Sequence, residues 1–253
     1  MSRVFVNGVE GAGLPADDLG FTRGMNVFET LRTYGRSPFR IDQHLKRLED
    51  SAKAMEVPLA SLEEVREEIL EYVEADVWMR ITLTAGHNRV LHVHPVEAAK
   101  VGRPVRVASV QMTPMPWLPG SVKHGSRAAW VLAARARGVD EVVFTTPSGH
   151  VLEANRSNIF AVVGGVVRTP PNDGEKLEGV TRGALVEAAL RAGLPFDDSP
   201  LALHTDFEEL YLSSTLKELA PVETIDDRSV GGGPVGAALH EAFRALVAEE
   251  CGG

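Results

Sequence analysis

Pro114, Pro116 and Pro119, followed at once by Gly120, form a stretch that neither a helix interior nor a central strand can cross. Proline lacks the N–H that both ladders need, and its ring clashes with the preceding helical turn. The chain is therefore expected to be organised as one unit before this break and one after it: an N-terminal unit of about 1–115, a connection at 116–121, and a larger C-terminal unit of 122–253. Its 253 residues, 44% of them hydrophobic, suffice for either one large core or two smaller ones.

Before the break, Val4 to Asn7 and Val27 to Tyr34 read as strands, the second closed by the turn Gly35-Arg36-Ser37-Pro38. Asp42 is placed to cap a helix carrying Leu45, Leu48, Ala52 and Met55 at core-facing spacings. Ser61 followed by Glu64 has the form of a capping box for a second helix reaching Val73. Strand-like alternation returns at Trp78 to Leu83 and at Val105 to Val110. After the break, the pattern predicts a helix from Lys123 to Arg137, and strands at Glu141 to Thr145, His150 to Leu152, Ile159 to Val163 and Val166 to Arg168. Thr181 to Arg191 reads as a helix, Tyr211 to Ser213 as a short strand, and Val235 to Val247 as a closing helix. Both units mix helix and sheet.

With 26 Lys and Arg against 35 Asp and Glu, the formal charge of -9 repels nucleic acid, and no basic patch offsets it. The opening Met1 to Val6 alternates and lacks the long apolar run of a signal or membrane segment, so a soluble cytoplasmic protein with no membrane partner is expected. The lone Cys251 forms no internal disulfide. His92 and His94 lack a convincing third ligand, so no metal is assigned. Gly11 to Gly13 and Gly231 to Gly233 lack the strand-to-helix setting of a nucleotide fingerprint.

One arrangement carries chemistry. Lys123 precedes Glu153 by thirty residues, and Ser157-Asn158-Ile159-Phe160 follows. A lysine amine condenses with an aldehyde and exchanges with a substrate amine, while a later acid can control the ring nitrogen of the carried cofactor. Taken singly, each residue has an ordinary alternative. Lys123 is one of several lysines, and Glu153 stands near a strand end; Arg47 can snorkel from its helix, and Thr181 can cap its own.

The order of short phrases decides between these roles. Asp18 to Gly24, Val27-Phe28-Glu29-Thr30, His44 to Leu48, Lys123, Glu153, Asn158, Gly179 to Arg182 and Ser214-Thr215 together resemble the fold-type IV pyridoxal-phosphate enzymes over nearly the whole chain. That group includes aminodeoxychorismate lyase, D-amino-acid aminotransferase and branched-chain aminotransferase. The resemblance implies an α+β fold of two mixed domains in the D-amino-acid aminotransferase-like architecture, with a cofactor cleft between them. It also implies a homodimer whose partner helps complete the substrate pocket.

By the same resemblance, Lys123 is the catalytic lysine bonded to pyridoxal 5'-phosphate and Glu153 faces the pyridine nitrogen, with Asn158 supporting it. Arg47, Val180, Thr181 and Thr215 hold the phosphate. Thr30 and Arg89 are candidate contacts for a small amino substrate, set against a strand-core hydroxyl and a solvent-facing turn arginine. The implied activity is 4-amino-4-deoxychorismate lyase, forming 4-aminobenzoate and pyruvate through a quinonoid. The alternatives are a D-amino-acid or branched-chain aminotransferase, and a noncatalytic interaction protein retaining the fold. The full substrate-binding pattern of the D-amino-acid enzymes is not matched, and neither is the Tyr-x-Arg phrase associated with many branched-chain enzymes, which counts against both branches.

Overall fold

A computed structural model describes residues 2–59, 61–113, 115 and 117–252. The chain separates into two compact units. The first comprises Met1–Glu97, Ser121–Arg127 and Val247–Gly253, and the second Ala98–Gly120 and Ala128–Leu246. This differs from the expected boundary at residue 115 and the connection at 116–121, and hydrogen bonding supplies the reason. The strand at Val105–Gln111 pairs only with strands of the second unit. Residues 121–127 run instead beside a strand of the first. Pro114 and Pro116 lie outside the described residues.

The first unit contains β1 (Arg3–Val6), β2 (Val9–Glu10), α1 (Leu19–Thr22), β3 (Asn26–Tyr34), β4 (Ser37–Pro38), α2 (Ile41–Ala54), α3 (Leu62–Glu71), β5 (Val77–Thr84) and β6 (Arg89–Pro95). Its sheet runs β2-β1-β6-β5-β3-β4, antiparallel throughout. Alternation sends Val77, Met79, Ile81 and Leu83 of β5 into the core, with Leu45, Leu48 and Ala52 of α2 also buried. Burying these side chains contributes about 1.5–3 kcal/mol for each large one. The cap of α2 differs from expectation. Arg40, at φ 51, occupies the cap position and pairs with Glu250 at 2.6 Å, while Asp42 lies inside the first turn and bonds Arg66. Ser61 does cap α3, accepting from the amides of Glu63 and Glu64.

The second unit contains β7 (Val105–Gln111), α4 (Ala128–Arg137), β8 (Glu141–Thr145), β9 (Val151–Ala154), β10 (Asn158–Val163), β11 (Val166–Arg168) and α5 (Val180–Arg191). After these come β12 (Phe196–Asp197), β13 (Glu209–Ser214), β14 (Glu218–Ile225), β15 (Arg228–Ser229) and α6 (Pro234–Cys251), whose residues from Val247 on are counted with the first unit. The sheet order is β12-β11-β10-β13-β14-β7-β8-β9, with β15 on β14. Here β7 runs parallel to both β8 and β14, so the sheet is mixed. One face buries Val105, Val107, Ile159, Ala161, Leu210, Leu212 and Val222 in a common cluster.

The helix expected from Lys123 begins only at Ala128. Residues 121–127 are extended along β3: Lys123 receives a hydrogen bond on its carbonyl from the Phe28 amide at 3.0 Å, and His124 bridges Val27. Gly125 permits this approach, because a Cβ there would stand 2.0 Å from Asn26 Oδ1. Among the described residues, no helix is long and apolar enough to cross a membrane.

Candidate functional site

In the first unit, the alternation of β3 divides its side chains between two chemistries. Glu29 is fully buried on the helix side, where Arg47 donates to it through Nε at 2.6 Å and Nη2 at 2.7 Å. His44, three residues earlier on the same helix, places Nδ1 2.8 Å from the same carboxylate. Burial opposes the charge on Glu29, yet Arg47 and His44 together hold its carboxyl well below the usual carboxylate range. Burial pushes the His44 imidazole down, against the pull of Glu29 and with help from the charges of Arg47 and Lys123. Arg47 is thereby fixed in orientation by a two-point fork.

Phe28 points to the opposite face. Its ring meets the Lys123 amine at 5.1 Å, the Arg80 guanidinium at 3.6 Å and the Arg127 guanidinium at 5.3 Å. The Lys123 backbone is itself anchored, its amide donating to Ser51 Oγ at 3.1 Å. Thr30 lies opposite Arg80 in the strand register, so the two share that face. Arg80 is half-buried and has no hydrogen-bond or ion-pair partner among the described residues; burial lowers its pKa. Arg89 is placed differently. It lies opposite Leu83 on the buried face, and its guanidinium is taken by Glu68 at 2.7 Å and Glu64 at 3.7 Å.

In the second unit, Glu153 is the penultimate residue of β9 and Asn158 opens β10. The Leu177 amide donates to Glu153 Oε1 at 3.3 Å, and Asn158 Nδ2 donates to the Leu177 carbonyl at 2.9 Å and to Glu153 Oε2 at 3.5 Å. Gly179 stands against the same asparagine, since a Cβ there would come within 1.9 Å of Asn158 Oδ1. As the N-cap of α5, Gly179 offers no side chain, so the first amides of the helix at Val180 and Thr181 are left for an anion. Both residues are buried. Ser213 lies opposite Asn158 in the register, and its buried hydroxyl has no hydrogen-bond partner among the described residues.

Thr215 begins the turn between β13 and β14. That turn is held by Lys217, whose amine pairs at 2.5 Å with the fully buried Glu141. Glu141 also accepts from Ser157 Oγ at 3.0 Å and the Arg156 amide at 3.1 Å, so one carboxylate secures both the Thr215 turn and the turn entering Asn158. The structure thus groups Lys123 with Arg80, Thr30 and Phe28; Arg47 with Glu29; and Glu153 with Asn158, Gly179 and Ser213. Sequence reasoning named neither Glu29, Glu141 nor Arg80 as functional, although Glu29 belongs to the Val27 to Thr30 phrase. No group of three or more His, Cys, Asp or Glu among the described residues is placed for a metal.

These donors fit a phosphorylated pyridine aldehyde. The first unit offers a primary amine beside an aromatic ring and an arginine fixed by a buried acid. The second offers uncapped helix amides, an orphaned hydroxyl and a carboxylate oriented by backbone.

Comparison with known proteins points the same way. Residues 26–225 match the model of amino-transferase class IV. The branched-chain-amino-acid aminotransferase of Escherichia coli K12 is 28% identical over 264 residues, covering 90% of this chain and 85% of the relative. A bifunctional aminodeoxychorismate lyase / D-amino acid transaminase of Mycobacterium tuberculosis H37Rv is 28% identical, covering 94% of each chain. The solved PLP-bound form of a hypothetical aminotransferase from Mycobacterium tuberculosis superposes with a TM-score of 0.87 at 28% identity, covering 99% of this chain and 100% of that one. The chain accordingly belongs to the class IV aminotransferases, the fold-type IV enzymes that work with pyridoxal 5'-phosphate.

Proposed function

We propose that this enzyme is an amino-acid aminotransferase of the D-amino-acid or branched-chain type. The observation that carries the reading is Arg80, a half-buried cation without an anionic partner among the described residues, set against the same ring as the Lys123 amine. A carboxylate meeting Arg80 would satisfy it by a charge-assisted fork and bring an α-amino group toward Lys123. Thr30, Arg80's register neighbour, extends that face. The gripping role expected of Arg89 is better supported for Arg80, because Arg89 is occupied by Glu64 and Glu68.

Bound pyridoxal 5'-phosphate supplies an electron-withdrawing ring that acidifies the substrate's α C–H. Lys123 would hold the cofactor through its amine and, once a substrate amine takes that place, would be the base positioned to move the proton at the α carbon. Arg47, locked by Glu29, is the first unit's candidate to hold the phosphate, and the amides of Val180 and Thr181 with Thr215 are the second unit's candidates. Glu153, fixed by Leu177 and Asn158, would be the acid that favours a proton on the pyridine nitrogen.

The lyase reading, which the sequence placed first, is retained as a second one because the Mycobacterium tuberculosis relative is named for both activities. Among the described residues, Leu19 and Phe21 expose apolar side chains on α1, and this supports a homodimer that burial of these groups would stabilise. Light scattering on the purified protein checks it, and a strictly monomeric active enzyme would contradict it. The reaction is tested by supplying D-alanine or a branched-chain amino acid with and without an oxo acid. Turnover that stops after one equivalent until the oxo acid is added supports transamination. Acceptor-independent release of pyruvate and 4-aminobenzoate from aminodeoxychorismate, with no transamination of any amino acid, would replace it with the lyase.

A further inference from the structure

Lys176 is a lysine in an unexpected place. It is 2% exposed, on the loop from Thr169 to Gly179 that leads into α5. Its amine makes no ion pair among the described residues. It donates to the carbonyl of Pro171, and at 3.4 Å to Asn172 Oδ1. An apolar side chain of similar volume would bury here without the cost of desolvating an ammonium. Burial, with Arg182 adding, lowers the Lys176 pKa, against the pull of Asp173, Glu153 and Glu178.

The loop shows what the amine supplies. Pro170 and Pro171 have no N–H, and no backbone amide among the described residues reaches the Pro171 carbonyl. A side-chain donor has to close the turn. Arg182 performs the matching task at the start of the loop, donating to the Pro170 carbonyl at 2.8 Å and to Thr169 Oγ1 at 3.2 Å. Gly120 allows the backbone to pack down on Glu175, where a Cβ would stand 2.0 Å from that carbonyl. Immediately after Lys176 comes Leu177, whose amide and carbonyl grip Glu153 and Asn158.

We propose that Lys176 is a positioning residue for Glu153, closing the 171–176 turn so that the peptide groups of Leu177 hold the Glu153–Asn158 pair. The inference rests on Glu153 being the acid at the pyridine nitrogen. A displaced Leu177 would leave Glu153 with one fewer donor, which raises the carboxylate's proton affinity and shifts the shared proton from the ring nitrogen toward the acid.

The test compares Lys176→Met, Lys176→Arg and Glu153→Gln, each with and without pyridoxal 5'-phosphate. In cofactor-free Lys176→Met, hydrogen exchange across 170–179 should quicken by about tenfold or more, with the rest of the chain unchanged. In the loaded protein, its visible absorption should shift in the same direction as in Glu153→Gln, and kcat should fall by about tenfold, while cofactor Kd stays within about threefold because the phosphate grip is intact. Lys176→Arg should restore at least part of both signals. Wild-type exchange and spectrum in Lys176→Met would overturn the proposal, as would a lowered Tm with an unmoved spectrum, the mark of a merely structural residue. If instead Glu153→Gln itself leaves the spectrum unmoved, the role of Glu153 fails, and with it the claim that Lys176 acts through that acid.

Discussion

The two units hold their functional groups by different means. In the first, Arg47 is oriented by a side chain: a buried carboxylate that it shares with His44. In the second, Glu153 is oriented by the backbone of Leu177, and the anion-binding end of α5 is shaped by a glycine that fits under Asn158. The side-chain arrangement depends on ionisation and so is sensitive to removal of one charge. The backbone arrangement depends on space and loop closure, and so is sensitive to one added methyl.

The largest expected effect is on chemistry. Lys123→Ala should reduce turnover by about 10³-fold or more, the range of a lost acid–base group, in single-turnover assays. Glu29→Gln tests the side-chain arrangement. Breaking this buried pair should cost about 3–5 kcal/mol in denaturant unfolding and weaken cofactor binding more than it slows kcat at saturating cofactor. If stability and cofactor affinity are both unchanged, Arg47 is not held by Glu29 in the way described.

Gly179→Ala tests the backbone arrangement. Its Cβ would run into Asn158 Oδ1, so a loss of about 1–3 kcal/mol is expected. Gly183→Ala is the control four residues on, in the same helix, where nothing stands within 4 Å of an added Cβ. There, helix propensity predicts a gain of up to about 1 kcal/mol. Equal losses at the two glycines would remove the steric account.

A pH titration separates the units further. Burial, with Arg127 adding, pushes the His124 imidazole down from 6.5 to about 4. The unfolded chain therefore takes up a proton between pH 6.5 and about 4 that the folded protein refuses, and stability is lost as pH falls through that window. His124→Asn should flatten the dependence of Tm on pH there; an unchanged slope would contradict it. The smallest effect belongs to Asp42, an exposed side chain paired with Arg66 rather than a helix cap. Asp42→Ala should cost under about 1 kcal/mol.

Periodicity made most elements legible, because amphipathic helices such as α2 and alternating strands such as β5 write their burial directly into sequence. It failed where a partner distant in sequence decides the structure. Residues 123–127 read as the start of the helix that begins at Ala128, yet this segment bridges β3 at Val27 and His124. The strand β14 carries Pro221 and had no periodic signature, but its pairing with β13 and β7 tolerates that proline. At the site, the residues proposed to carry chemistry were named from the ordered family phrases. The residues that orient them were not: Glu29, Glu141 and Lys176 are charged side chains whose ordinary place is the surface, and only the fold reveals them as buried. Arg89 and Arg80 exchanged apparent importance for the same reason, since register alone decides which face each occupies.

The central claim is that Lys123, out of all the lysines, carries the cofactor. Its most direct test is to load the protein with pyridoxal 5'-phosphate, reduce with borohydride, and map the modified peptide by mass spectrometry. The account predicts a single stoichiometric phosphopyridoxyl group on Lys123, absent in Lys123→Ala. Modification centred on Lys176 or any other lysine, or an unlabelled protein that still turns over, would contradict it.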